Sequence, residues 1–240
     1  MLPKAILFDL DDTLLNDSKA ADLGWHKACK TFSENTGLFR GEDLFLRINT
    51  IRKRYWSDAK RNLSGDEGRI NYHHARMMIT RSALSELGYN YTEKIVEEIV
   101  DIFSEVKLEC IGFFPDTEVI IRELQKRTIK LALLTNGDGS EQRAKIEKFG
   151  MMKLFNPCLV EGELGYGKPD PRIYEMALNE LQVKPYQTWM VGNDLYSDIA
   201  GAQRMGIYSI WCDYGQKGLP EGSLIIPDRI INNLTELLTE

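Results

Sequence analysis

Three carboxylates, Asp9, Asp11 and Asp12, fall within four residues directly after the apolar run Ala5-Ile6-Leu7-Phe8. Mutual repulsion and desolvation both disfavour charged oxygens gathered at the end of a buried strand. With no compensating base beside them in the sequence, the cluster implies a cation. Hard carboxylate oxygens favour Mg2+ over zinc, and magnesium usually keeps several waters and binds one or two carboxylates together with a substrate phosphate. Asp9 and Asp11 are two apart and lie on the same side of an extended backbone. The first is placed to attack phosphorus as a nucleophile, a recognised use of a carboxylate. The second can protonate a leaving alcohol and then deprotonate the hydrolytic water. Asp12 reads as a turn residue.

Such groups need rigid supports, and the chain supplies apolar runs at Lys4 to Asp9, Lys130 to Thr135, Pro157 to Val160, Thr188 to Gly192 and Ile207 to Cys212. Helix-like stretches alternate with them, which predicts βαβ units and an α/β doubly wound parallel sheet. Asp116 is expected to cap a helix over Thr117 to Arg127, Ser140 one ending before Gly150, and Asp170 one with Pro171 at its first position. Gly206 would end a fourth, from about Ser197 to Arg204. In an open parallel sheet ligands bind beyond the carboxyl ends of the strands. The strand ends deliver Asp9 and Asp11, Thr135 and Asn136, and Asn193 and Asp194, with Asp198 one helical turn later. Lys168 follows a glycine-rich turn, Gly162 to Gly167, and the Lys-Pro-Asp-Pro frame keeps it extended. Between Asn16 and Pro115 the pattern turns helical, with Trp25, Cys29 and Phe32 at helical spacing. Amphipathic stretches from Tyr72 to Leu87 and Thr92 to Leu108 flank a stop at Gly88.

Four motifs stand in order between residues 5 and 206: DLDDT (Asp9 to Thr13), LLTNG (Leu133 to Gly137), GKPDPRIY (Gly167 to Tyr174) and VGNDLYSDIAGA (Val191 to Ala202). In these the chain resembles the haloacid dehalogenase-like hydrolases, in the branch with a helical cap inserted after the first strand. The resemblance implies a Rossmann-like catalytic core, residues 1–15 and 116–240, and a cap, residues 16–115, that sets substrate specificity. It implies a phosphatase: Mg2+-dependent hydrolysis of a small phosphomonoester through an aspartyl phosphate on Asp9, with Asp11 as acid and base. It adds the main-chain carbonyl of Asp11 as a metal ligand, the Thr135 hydroxyl and Asn136 amide hydrogen as phosphoryl donors, and Lys168 as the neutralising cation. The fourth motif departs from the common family form, which has an acid at the position of Asn193. The expected direct ligand is therefore Asp194, with Asn193 as a neutral partner and Asp198 orienting metal-bound water or Lys168.

Rival readings on the same fold are a 2-haloacid dehalogenase, a phosphomutase, a phosphonatase using Lys53 or Lys60, and a non-catalytic binding protein. Asp11 argues against the dehalogenase, and the retention of every chemical residue argues against the last. The cap leaves the metabolite open among sugar phosphates, acylneuraminate phosphates and nucleotides. Arg52, Lys53, Arg54, Lys60 and Arg61, set against Asp58 alone, could meet a second anionic group, though a solvated helix face is the commoner meaning. His73, His74 and Arg76 lie in a further helix of the cap.

Composition agrees with such a molecule. The 240 residues are 43% hydrophobic and 28% charged, as in ordinary globular chains. With 30 Lys and Arg against 36 Asp and Glu, the net charge of −6 gives no footprint for nucleic acid. No apolar run approaches the roughly 18 residues of a membrane span. Cys29, Cys110, Cys158 and Cys212 are scattered without a CxxC pair, which suits a reducing, cytoplasmic setting. The expected assembly is a monomer or homodimer.

Overall fold

The computed structural model describes residues 2–61 and 71–239, with side chains given up to residue 56 in the first stretch. Two compact units emerge: residues 1–16 with 113–240, and residues 17–112.

The first unit is built on a parallel six-stranded sheet of β1 (Ala5–Phe8), β2 (Lys130–Thr135), β3 (Cys158–Val160), β4 (Thr188–Gly192), β5 (Tyr208–Cys212) and β6 (Arg229–Ile231). The strands run in the order β3-β2-β1-β4-β5-β6. All four residues of β1 are fully buried, as expected of a central strand covered on both faces. Chain order reverses between β1 and β4, whose register pairs Phe8 with Val191. Asp9 N–H extends that ladder to the Val191 carbonyl at 2.9 Å. This switch point is where open α/β sheets bind ligands. β6 follows the sequence PD without an alternating pattern, and its three residues were not expected as a strand. It is held through Asp228, whose Oδ2 accepts from Ser209 N at 2.8 Å and Ser209 Oγ at 2.6 Å.

One face of the sheet packs Leu7, Leu134 and Met190 against Ile173, Tyr174, Ala177 and Leu178 of the helix Pro171–Leu181. That helix starts as expected, with Pro171 in its first turn and Asp170 accepting from Arg172 N at 2.9 Å. Two other caps differ from expectation. The helix Thr117–Lys126 follows Asp116, but Asp116 is left-handed, with φ 63°, and its side chain makes no capping bond. The helix Gly139–Lys148 is capped by Asp138, which accepts from Glu141 N at 3.0 Å, whereas Ser140 Oγ donates to Asp138. Asp138 lies nearer the first unpaired N–H groups and carries the stronger acceptor. The stretch taken for a glycine-rich turn opens with a helical turn, Glu161–Leu164, ended by Gly165 in the left-handed region.

The second unit is entirely helical among its described residues: α1 (Asp17–Thr36), α2 (Gly41–Arg61), α3 (Tyr72–Glu86) and α4 (Glu93–Cys110). Thr92 caps α4 by accepting from Ile95 N, and Gly88 takes φ +70° after α3. Trp25 of α1 stacks on Phe103 of α4, ring centroids 4.0 Å apart, within a core that also holds Phe32, Phe39 and Ile99. The chain leaves and re-enters the sheet unit at adjacent points, since Leu15 bridges Phe113 and Phe114 N–H donates to the Leu14 carbonyl at 2.9 Å. No described helix is long and apolar enough to cross a membrane.

Truncating a buried aromatic removes both its transfer energy and its packing. Trp25→Ala is therefore expected to destabilise the helical unit by about 3–5 kcal/mol, checked by urea unfolding followed by far-ultraviolet circular dichroism. A loss below about 1 kcal/mol would mean that the Trp25–Phe103 stack is not a core contact.

Candidate active site

At the switch point two carboxylates of the motifs, Asp9 and Asp198, meet a buried ammonium. Lys168, 1% exposed, reaches Asp9 Oδ1 at 2.5 Å and Asp198 Oδ1 at 2.8 Å. Burial opposes the charge on Lys168, but Asp198 and Asp9 outweigh it, so its pKa is raised. Burial pushes the Asp198 carboxyl up, and Lys168 works against that push. The second oxygen of Asp9 accepts from Thr13 Oγ1 at 2.8 Å. Asp9 is thus fixed on both sides with little exposure.

The Lys168 backbone is itself clamped. Asn136 Nδ2 donates to the Lys168 carbonyl at 2.7 Å, and Lys168 N donates to Asn136 Oδ1 at 2.8 Å. One Nδ2 hydrogen of Asn136 is thereby committed to the Lys168 backbone. Glu161, buried and unnoticed in the sequence, accepts from Gly137 N at 2.8 Å. Gly167 must be glycine here, because a Cβ would strike both Glu161 and Asn136 Oδ1. Gly192 must be glycine too, since a Cβ would overlap the Asp198 carboxylate.

Asp11 has a separate cation. Lys145 Nζ donates to both Asp11 oxygens at 2.8 Å, and Gln142 Nε2 donates to Asp11 Oδ2 at 2.9 Å and to Thr135 Oγ1. Sequence reasoning found neither residue. The sequence names Lys168 as the neutralising cation, and the fold brings it to Asp9 across 159 residues; Lys145, which reaches Asp11 across 134 residues, is the base the motifs do not announce. Such separations leave no local signal, although Asp9, Asp11, Asp194 and Asp198 still outnumber the two ammonium groups.

In the fourth motif, Asp194 Oδ1 accepts from Tyr196 N at 3.0 Å and Ser197 N at 2.9 Å, capping the π-helical turn Leu195–Ala200. Asp198 Oδ2 receives Asp194 N–H at 2.9 Å. The Asn193 carbonyl accepts from Trp211 Nε1 at 2.8 Å, while the Asn193 side chain shows no hydrogen bond among the described residues. No group of three His, Cys, Asp or Glu gathers into a metal cage among those residues. A cation here would have to draw on neutral oxygens and water beside one or two carboxylates. That all-oxygen set fits Mg2+ rather than a softer ion.

In the helical unit, Arg52 pairs with Asp22 and donates to Asn49 Oδ1 at 2.6 Å, so its charge is already met within the unit. Lys53, Arg54, His73 and His74 are exposed. Arg54 lies 3.8 Å from Glu86. The Arg76 guanidinium sits over the Phe103 ring at 4.8 Å. The side chains of Asp58, Lys60 and Arg61 lie outside the described residues.

Residues 3–206 match the family model of the haloacid dehalogenase-like hydrolases. The chain is 32% identical to the phosphoserine phosphatase of Thermus thermophilus, over 98% of this chain and 97% of that protein. It is 29% identical to the glyceraldehyde 3-phosphate phosphatase of Methanopyrus kandleri, over 98% and 95%. Among solved structures, the HAD-hydrolase YfnB from Bacillus subtilis, bound to magnesium, shares the fold with a TM-score of 0.77 at 22% identity, over 99% of this chain and 97% of that one. The chain therefore belongs to the haloacid dehalogenase-like hydrolases.

Proposed function

We propose that this hydrolase is a phosphatase: a Mg2+-dependent phosphomonoester hydrolase acting on a small phosphorylated metabolite through an aspartyl phosphate on Asp9. The observation that carries this reading is the second carboxylate, Asp11, held by Lys145 and Gln142 beside Thr135. An ester oxygen leaving phosphorus needs a proton, whereas a halide leaving carbon does not. A 2-haloacid dehalogenase would have no use for Asp11.

In the proposed sequence Asp9 attacks phosphorus, the bond from phosphorus to the ester oxygen breaks, and Asp11 gives its proton to the departing alkoxide. Water then attacks the aspartyl phosphate, passes a proton back to Asp11 and releases phosphate, regenerating Asp9. Lys168 orients Asp9 and offsets the charge that gathers around phosphorus. The Thr135 hydroxyl and the Asn136 main-chain N–H hold non-bridging oxygens. Mg2+, when bound, supplies the positive charge that lets a phosphate dianion approach a site rich in carboxylates. Asp9, the Asp11 carbonyl and the Asn193 side-chain oxygen would hold it. Asn193 takes the place first expected of Asp194 because Asp194 serves as a helix cap. Residues 17–112 would act as the cap that sets specificity. The four cysteines, all unpaired, suit a reducing cytoplasm.

Asp9→Asn should abolish turnover of p-nitrophenyl phosphate while leaving the circular dichroism spectrum intact, because an amide cannot act as the nucleophile. Wild-type-like turnover, with deamidation excluded by mass spectrometry, would remove Asp9 from that role. EDTA should silence the enzyme and added Mg2+ restore it; full activity in a metal-free preparation would contradict the charge argument. Asn193→Ala should weaken Mg2+ binding by calorimetry at least about 10-fold. Asp194→Ala should instead cost about 0.5–2 kcal/mol of stability as a lost cap, with a smaller change in Mg2+ affinity. The opposite order would return the ligand role to Asp194.

A further inference from the structure

The helix Gly139–Lys148 brings two buried polar side chains to the site, three residues apart and so on one helical face. Gln142 is fully buried and its Nε2 donates to both Asp11 Oδ2 and Thr135 Oγ1. Lys145, 2% exposed, donates to both oxygens of Asp11. The acceptors fix the glutamine amide, because the reverse orientation would set its oxygen against a carboxylate oxygen. In this orientation Gln142 Oε1 is buried with no hydrogen-bond partner among the described residues. An unsatisfied buried acceptor is unfavourable, and an apolar side chain of similar size would avoid it. The glutamine is therefore explained by what its N–H group does.

That group accounts for two features at once. Thr135 Oγ1 accepts from Gln142, so the hydroxyl's own proton must point to another acceptor. Asp11, meanwhile, is held from the same nitrogen and from Lys145. We propose that Gln142 and Lys145 are positioning residues of the phosphoryl-transfer site: Gln142 makes the Thr135 hydroxyl a donor for a phosphoryl oxygen and, with Lys145, fixes Asp11 for proton transfer to the leaving group. This assignment rests on the phosphatase reading above. It gives the two residues different signatures, because Lys145 meets carboxylates, Asp11 at 2.8 Å and Glu141 at 3.7 Å, whereas Gln142 is bonded to both Asp11 and Thr135.

The test compares kcat/KM for p-nitrophenyl phosphate and phenyl phosphate in saturating Mg2+, since phenolate needs a proton far more than nitrophenolate. Lys145→Met should lower the phenyl phosphate value about ten-fold more than the p-nitrophenyl value, a part of the 10²–10⁴ typical of general acid catalysis. Lys145→Arg should restore part of the difference. In an Asp11→Asn background, Lys145→Met should add no further selectivity. Gln142→Leu should lower both values and raise the inhibition constant for inorganic phosphate. Equal losses on the two esters for Lys145→Met, or an added selective loss without Asp11, would overturn the role of Lys145. Should Lys145→Met fail to fold, Gln142→Leu decides the proposal, and an unchanged phosphate inhibition constant would overturn it. A wild-type enzyme inert toward both esters would instead refute the phosphatase reading itself.

Discussion

The buried contact of Lys168 with Asp9 and Asp198 is the constraint around which the sheet unit is arranged. An ammonium at 1% exposure survives only with charged partners close by. Removing either partner from such a pair typically costs about 3–5 kcal/mol, because the remaining charge is left buried and uncompensated. The three residues come from three different elements, so their meeting fixes the ends of β1 and β4 and the loop before Pro169 relative to one another. The neighbouring backbone has to yield room for this. Gly192 leaves the space that the Asp198 carboxylate fills, and Gly167 lets the Lys168 loop approach Asn136 and Glu161. The functional geometry and the electrostatic stability of this unit are therefore one arrangement.

Much of that frame was legible in the sequence, for identifiable reasons. β1, β2 and β4 are short apolar runs covered on both faces, and each hands its polar residues to the crevice at its carboxyl end. Asp170 with Pro171 announced a helix start because the signal is local. What escaped was long-range or weakly patterned. Lys145 and Gln142 sit in SEQRAKIEKFG, where a polar residue ordinarily signals a solvated face, and only the fold turns them inward to Asp11. Glu161, just before the glycine-rich stretch, carries no local signal either. β6 has three residues and depends on an Asp228–Ser209 contact across 19 positions. Asp138 and Ser140 compete for one cap two residues apart, and pattern alone cannot rank them.

In the helical unit the basic segment reads first as a solvated face, and Lys53 and Arg54 are exposed. Arg52 differs: its side chain is only 13% exposed and is paired inside its own unit. Lys107 similarly reaches Asp17 Oδ1 at 2.9 Å from a buried position on α4. These internal pairs tie α2 and α4 to α1, alongside the Trp25–Phe103 stack. Recognition of a substrate by this unit would have to rely on other side chains.

Charge also gives the two carboxylates of the first motif different surroundings. Asp9 shares its ammonium with Asp198 deep in the unit and accepts from Thr13, so both its oxygens are held in place. A nucleophile benefits from such rigidity, since misplacement of a reacting atom by about 1 Å can cost on the order of 100-fold in rate. Asp11 is more exposed and rests on a helix surface through Lys145 and Gln142, so its surroundings differ from those of a residue two positions away. Two aspartates on one short strand end thereby acquire separate environments: one buried with both oxygens fixed, the other more exposed, as the proposed exchange of a proton with a leaving group or water would require. That asymmetry arises from what each side chain meets, Lys168 and Thr13 in loops for Asp9 and a helix surface for Asp11, and in the proposed mechanism it would let a repeated residue type serve two chemical steps.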